Sequence, residues 1–395
     1  MRVLMVSDVY FPRINGVSTS IETFRRRLAG AGVEVRLVVP RYGDEGDEPG
    51  IVRVGGRPVP GDAEDRLLRW REMHRAVAAA AADCDLIHIQ TPFVAHYAGL
   101  AAARRLELPA LATYHTLFEE YLQHYAPLVP AGWLRGAARL LSRRQCNALD
   151  GVVVPSSAMR ERLQDYGVQA PLRVLPTGIP VERFAGGDGE AFRAAHGIPA
   201  ERPLALYVGR VAHEKNIGFL IDAVQRALAA VPDLLLLIAG EGPARAELQR
   251  RVDALELKRS VRFLGYLDRT RGLPDCYAAA DLFVFASRTE TQGLVLIEAM
   301  AAGTPVLALS AMGTADILAP RKGCLVAPDD SQAFANALAH FFVHRQAWAH
   351  LGAEARAYAQ TWSDEVMAEL LASHYRTLRR DHRARTAETV AVAGL

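Results

Sequence analysis

RVLMVSD (residues 2–8), GVSTSIETFRRRLAGAG (16–32) and EVRLVVP (34–40) follow one another with only short loops between them. The outer two are β-rich apolar runs and the middle one is a helical pattern, so together they read as a βαβ unit whose crossover joins parallel strands. The alternation continues. DLIHIQ (85–90), ALATYHT (110–116) and GVVVPS (151–156) are near-continuously apolar, as strands covered on both faces must be. LRVLPTGI (172–179) closes this half of the chain.

The next stretch, AGGDGEAFRAAHGIPAERP (185–203), is rich in Gly, Ala and Pro and reads as an interdomain linker with a short helix. The pattern then restarts. PLALYVGR (203–210), DLLLLIAGEGP (233–243), VRFLGYL (261–267), DLFVFAS (281–287) and TPVLALS (304–310) are strands, with NIGFLIDAVQRALAAV (216–231), ARAELQRRVDALEL (244–257) and the run after Gly293 as helices between them. The expected fold class is α/β, with two doubly wound, Rossmann-like domains over 1–182 and 183–362 facing across a cleft at the carboxyl ends of their strands, where such sheets bind ligands. WSDEVMAELLASHYRTLRR (362–380) is a helix with no strand after it, expected to pack back on the first domain over 363–380, and 384–395 reads as a disordered tail.

A chain of 395 residues exceeds the size at which one core stops growing, which agrees with two domains. Its 50% hydrophobic and 23% charged residues and its formal net charge of +2 exclude the composition of a nucleic-acid binder. Lys215, Lys258 and Lys322 are the only lysines, the other basic residues being arginine, so Lys215 stands out. Cys84, Cys146, Cys276 and Cys324 are scattered without metal-ligand or disulfide spacing, and they read as reduced structural thiols. The opening MRVLMVSDVY turns polar too soon for a signal peptide, and no apolar run approaches the roughly 20 residues of a spanning helix. The expected location is the cytoplasm. The oligomeric state is left open.

Ligand chemistry belongs at the strand ends. Asn15-Gly16 closes the loop after the first strand, where a glycine lets backbone amides approach a phosphate at a helix N-terminus; a plain βα turn explains it equally. GRVAHEKN (209–216) places Arg210 and Lys215 after a strand, as a diphosphate clamp or as a solvated turn. RTETQGLVLIEAMAAG (288–303) opens polar and becomes an apolar helix from about Gly293, so that the amides near Gly293 and Leu294 point at the same anion. Glu290 lies in its loop, free to accept from sugar hydroxyls. Glu298 lies in the second helical turn, where a carboxylate suits a ribose diol or a buried salt bridge. His115 ends a strand and is, by that position alone, a satisfied strand-end histidine as readily as a catalytic one.

The spacing Glu290-x7-Glu298, with GRVAHEKN, IAGEGP, LPTGI and TYHT in that family's order along nearly the whole chain, resembles the retaining glycosyltransferases of family 4, which have the two-domain glycosyltransferase-B fold. The resemblance implies a nucleotide-sugar donor held by the second domain, with Arg210 and Lys215 on the diphosphate, Glu298 on the ribose and Glu290 on the sugar. His115 matches the histidine that faces the transferred sugar. It also implies no catalytic metal or other cofactor, since the cations and helix N-termini neutralise the leaving diphosphate. Retention is ascribed in this family to front-face attack, so no enzymic nucleophile is assigned; His115 and Glu290 are the expected catalytic residues, with Glu290 able to serve as a nucleophile only after rearrangement. Two departures weaken the donor contacts: Asn15-Gly16 where relatives have Gly-Gly, and AMGTADIL (311–318), which leaves Asp316 as a shortened carboxylate.

The acceptor is read from LVPAGWLRGAARLLSRRQCNALDG (128–151), where Trp133, Leu134, Leu140 and Leu141 are set among Arg135, Arg139, Arg143 and Arg144. It suits an interfacial helix on an anionic membrane, and RLLRWREMHRAV (66–77) repeats the theme with Trp70; the alternative is an ordinary helix with leucines in the core. TYHTLFEEYLQHYAPLVP and TETQG, with Gln292 where many relatives have an aromatic residue, resemble the bacterial diacylglycerol glucosyltransferases. That branch implies UDP-glucose as donor, a membrane lipid as acceptor and peripheral attachment to the inner face of the cell membrane. Its rivals are a GDP-mannose or UDP-N-acetylglucosamine enzyme acting on a phosphoinositide, glycan or soluble acceptor, and a sugar-nucleotide-binding protein without turnover.

Overall fold

The structure is a computed structural model that describes residues 1–46, 48–59, 62–115 and 131–393, without the side chains at 62–64, 131, 134 and 389–393. It divides into two compact units, Met1–Gly178 with Asp364–Leu395, and Ile179–Ser363.

The first unit holds β1 (Arg2–Val6), β2 (Glu34–Pro40), β3 (Ile51–Val54), β6 (Leu86–Ile89), β7 (Ala110–Thr113), β8 (Gly151–Val154) and β9 (Leu172–Val174) in one sheet of order β3-β2-β1-β6-β7-β8-β9. Every pairing in it is parallel. A separate antiparallel ribbon, β4 (Gly56–Val59) with β5 (Asp62–Leu68), precedes the helix α2 (Trp70–Ala80). The helical pattern expected over 66–77 is therefore corrected: Arg66 and Leu67 belong to a strand and the helix starts at Trp70. The crossover helix α1 (Gly16–Leu28) turns Ile21, Phe24 and Leu28 into a core with Val3, Met5 and Leu37. Onto the same core the helix Asp364–Ala393 lays Met367, Leu371, Tyr375 and Leu378.

The second unit repeats the plan with β10 (Leu204–Val208), β11 (Leu235–Ala239), β12 (Val261–Gly265), β13 (Leu282–Phe285), β14 (Val306–Leu309) and β15 (Cys324–Ala327) in the order β12-β11-β10-β13-β14-β15. These pairings too are parallel. Its four inner strands, β10, β11, β13 and β14, are buried on both faces, as their unbroken apolar runs require.

Two expectations are corrected. The segment 185–203 is an integral part of the second unit rather than a linker. Gly187 and Gly189 lie so close to the backbone of Pro274 and Ala278 that a Cβ at either would fall 2.3 Å and 2.4 Å from their carbonyl oxygens. Arg193 donates to the Ala279, Pro199, Ala200 and Arg202 carbonyls and to Asp281. The small residues there serve close packing, and the boundary falls after Gly178. The tail also differs, because the last helix continues to Ala393, where Ala384, Ala387, Ala391 and Ala393 offset the weaker helix formers Thr386, Thr389, Val390 and Val392.

In both sheets the strand order reverses at the first strand, between β1 and β6 and between β10 and β13, and at such a point the loops leaving the two strands diverge and open a crevice. In the first unit this point is tied by Asp8. Its buried carboxylate accepts from the Thr91 hydroxyl at 2.7 Å and from the Ala95 amide at 3.1 Å, capping the helix α3 (Val94–Leu106), which has no side-chain cap of its own. Burial pushes the Asp8 pKa up to about 6. Because the folded value lies above the unfolded one, the stabilisation is complete below about pH 4 and is lost as pH rises through about 6. The gap between the unfolded and folded values corresponds to roughly 3 kcal/mol. Because His96 and His115 titrate in the same window in both proteins, urea unfolding of wild type and Asp8→Asn between pH 4 and 7 is expected to show the stability of wild type falling relative to the variant by that order. Parallel pH trends would refute the assignment.

Candidate functional site

The loops at the two switch points carry most of the residues singled out from the sequence. In the first unit, β1 is followed by Asp8 and the 9–15 loop, β6 by Gln90 and Thr91, and β7 by Tyr114 and His115. With Val9, Leu68, Phe93, Val94 and Leu149 among their neighbours, they line a cavity of about 420 Å³. Much of its surface is apolar, although Asp8, Asn15, Asp65, Arg66, Gln90, His96 and His115 also line it. His115 Nε2 lies 2.9 Å from Gln90 Oε1, and burial pulls the His115 pKa down to about 4, so the ring is neutral at pH 7. His96, in the same lining, is likewise pulled to about 4 by burial. Gly16 is the first residue of α1, where Asn15 caps the helix by accepting from the Ser18 amide at 2.8 Å. First-turn amides have no intrahelical partner, so this end can receive an acceptor atom. Among the described residues, its own chain neighbours and helix backbone apart, nothing lies within 4 Å of a Cβ built at Gly16.

In the second unit, Gly209 to Asn216 leave β10 and pack against the loop after β11. A Cβ at Gly240 or Gly242 would fall 2.0 Å from Gly209 O or 2.3 Å from Val211 O, which explains the glycines of IAGEGP. Asn216 adopts a left-handed conformation, φ 56°, and its amide donates to Ala286 O at 3.1 Å, tying this loop to the end of β13. Arg210 reaches outward, its side chain 66% exposed and 3.8 Å from Glu214. Lys215 turns to Glu290 instead, Nζ to Oε1 at 2.6 Å, with both side chains largely buried. The expected clamp cation and the expected sugar-binding carboxylate are thus paired with each other.

Gly293, at φ +88°, turns the Thr289–Gln292 loop into the helix Leu294–Ala301, which has no side-chain cap. The loop is braced from the next one, because the Gly313 amide donates to Glu290 O at 2.8 Å and a Cβ at Gly313 would fall 2.1 Å from Thr291 O. Asp316 lies in the short helix that follows, Thr314–Leu318. Glu298 is 5% exposed. It accepts from the Tyr277 hydroxyl at 2.9 Å and faces Arg269 at 3.4 Å, so protein groups already satisfy the carboxylate that a ribose was expected to satisfy. Burial raises its pKa against the opposing pull of Arg269 and Tyr277.

Sequence reasoning missed Asp8 and Gln90, although each is a polar residue at the carboxyl end of an apolar strand, the signal that picked out His115. Tyr277 and Arg269 had no local signal, since their meeting with Glu298 is tertiary. On the helix Ala131–Cys146, Trp133 is 80% and Leu140 43% exposed, and Arg135, Arg139, Arg143 and Arg144 are exposed, while Ala138, Ser142, Gln145 and Cys146 face inward. Leu141 is half-buried and the side chain of Leu134 lies outside the described residues. So does the stretch 116–130, on which part of the lipid-branch resemblance rests. Among the described residues there is no His/Cys/Asp/Glu cluster able to hold a metal and no helix long and apolar enough to cross a membrane.

Comparison with known proteins matches residues 14–183 to the Glycosyltransferase Family 4 model and residues 188–358 to the Glycosyl transferases group 1 model. An alpha-monoglucosyldiacylglycerol synthase of Streptococcus pneumoniae is 34% identical over 78% of this chain and 71% of its own length. A GDP-mannose-dependent alpha-mannosyltransferase of Mycobacterium tuberculosis is 29% identical over 96% of this chain and 97% of its own. Among solved structures, the sucrose-phosphate synthase of Thermosynechococcus elongatus aligns with a TM-score of 0.74 at 25% identity, over 95% of this chain and 98% of its own. Two parallel-sheet units, both family models in sequence and relatives matched along the chain lead to one conclusion: the protein belongs to the retaining, nucleotide-sugar-dependent glycosyltransferases of family 4, with the glycosyltransferase-B fold.

Proposed function

We propose that this enzyme transfers a hexose, glucose from UDP-glucose, to a hydroxyl of a membrane lipid such as diacylglycerol and forms an α-glycosidic glycolipid. The observation that carries this reading is the cavity of the first unit, whose mostly apolar surface, with polar groups such as Gln90 and His115 set into it, suits an acceptor with an alkyl body and a hydroxyl head. Two further observations support it. The pneumococcal relative is named for glucosyl transfer to diacylglycerol, and the helix Ala131–Cys146 exposes Trp133 and Leu140, one heptad apart, among arginines that suit an anionic bilayer. The enzyme would then work peripherally on the inner face of the cell membrane.

In this reading the second unit holds the donor. Arg210 and Lys215 neutralise the diphosphate, the Gly293 and Leu294 amides add partial positive charge, Glu298 binds the ribose and Glu290 the sugar hydroxyls. Lys215 exchanges part of its pairing with Glu290 for the diphosphate, which frees carboxylate lone pairs for the sugar. The departing phosphate oxygen takes the acceptor's proton, so no protein nucleophile and no metal is assigned. A second reading, GDP-mannose as donor with a phosphoinositide, glycan or soluble acceptor, is favoured by the near-complete span of the mycobacterial match.

Mass spectrometry of donor consumption and product, with UDP-glucose, other UDP-sugars and GDP-mannose, each with and without diacylglycerol-containing liposomes, separates the two. Lipid-dependent UDP-glucose consumption giving hexosyl-diacylglycerol is expected; use of GDP-mannose, or indifference to lipid, would discard the lipid glucosyltransferase. Replacing Arg210 and Lys215 together by alanine is expected to lower kcat/KM by about 100- to 1000-fold, and wild-type turnover would remove them from the donor site. Replacing Trp133, Arg135, Arg139, Arg143 and Arg144 by alanine is expected to weaken cosedimentation with anionic liposomes by about tenfold or more, with unchanged binding refuting the membrane role.

A further inference from the structure

Gln90 ends the apolar run DLIHIQ, and its position is fixed from both ends. Its backbone amide donates to Val6 O at 2.8 Å, and its side chain, in a residue only 4% exposed, meets His115 across the adjoining strand. The contact is specific in its atoms: Gln90 Oε1 stands 2.9 Å from His115 Nε2. An amide oxygen only accepts hydrogen bonds, so the ring nitrogen facing it carries the proton. A neutral imidazole has one proton, and the other nitrogen, Nδ1, is then a bare lone pair. Both residues line the cavity of the first unit, and among the described residues no group takes that lone pair.

We propose that Gln90 is a positioning residue that fixes the Nε2–H tautomer of His115 and so presents Nδ1 as a hydrogen-bond acceptor to a substrate hydroxyl. This rests on the reading that His115 faces the reacting groups. The chemistry of His115 follows. The ring neither donates to the leaving diphosphate nor stabilises charge as an imidazolium; it takes a hydrogen bond from an O–H and orients that oxygen. A ring free to exchange tautomers would spend part of its time with N–H directed at the hydroxyl, opposing the bond it is there to make. Glutamine is the residue for this task because it accepts without charge. A carboxylate in its place would still select Nε2–H but would also favour the protonated ring.

The test is nitrogen-15 NMR of histidine-labelled full-length enzyme at neutral pH, which distinguishes the two neutral tautomers by the shifts and couplings of their ring nitrogens. The His115 signal is identified among the 12 histidines by its loss in His115→Gln. Wild type is expected to show Nε2–H. Gln90→Leu is expected to show mixed tautomers or Nδ1–H with kcat lowered about tenfold to a hundredfold, the cost of one misdirected hydrogen bond, while Gln90→Glu keeps Nε2–H. An Nδ1–H signal in wild type, as a rotated Gln90 amide would produce, overturns the proposal, and so does a Gln90→Leu enzyme unchanged in both tautomer and kcat. Wild-type turnover by His115→Ala overturns its substrate half. A wild-type enzyme that turns over none of the tested donors defeats the proposed function instead, and the NMR spectrum still decides the tautomer.

Discussion

Every hydrogen bond between neighbouring strands in the two large sheets joins parallel chains, and that constraint governs where this protein can do chemistry. Parallel neighbours require a crossover that returns along the whole sheet, so all strands of a unit release their loops on one edge and helices cover both faces. The reversal of strand order, at β1 against β6 and at β10 against β13, then spreads two adjacent loops apart. Asp8, Gln90 and Thr91 lie at the first reversal, with His115 at the end of the next strand. Arg210, Lys215, Glu290 and Gly293 lie at the second. These residues are far apart in sequence, yet no separate explanation is needed for their grouping within each unit.

Within those loops, polar groups are tolerated because each is satisfied by another. Asp8 is held by a hydroxyl and a helix amide, Glu290 by Lys215, Glu298 by Tyr277 with Arg269 beyond it, and His115 by Gln90. Partnerships of this kind preorganise a site, since the groups need not be gathered when a ligand arrives. They also set a condition on binding: a ligand has to offer Lys215 and Glu290 at least what they offer each other.

The β-run and helix alternation was legible because its signal is local and repeated, as were the candidate residues at the strand ends. What escaped the sequence was tertiary. Glycines in 185–203 look like a linker when the contact that requires them, the backbone of Pro274 to Ala278, lies some eighty residues away. The strand Asp62–Leu68 was hidden because Arg66 to Val77 has a helical rhythm that begins before the helix does. After residue 383 the alanines, Arg385 and Glu388 have the helical propensity to extend the last helix, although Thr386, Thr389, Val390 and Val392 among them do not favour it. Glu298 was found by its oddity in an apolar run, but its partners were not, because a tyrosine on one helix and an arginine in a loop share no spacing with it.

The last helix has a consequence for how the chain is made. Met367, Leu371, Tyr375 and Leu378 complete a core whose other residues, from Val3 to Leu175, leave the ribosome first. At a synthesis rate of about 5–20 residues per second, that core waits on the order of ten seconds or more while the intervening unit is translated. The second unit, continuous from Ile179 to Ser363, can close its own core in that interval. The unit begun first is thus finished last, and its uncovered apolar face is the part of the nascent protein most in need of a chaperone.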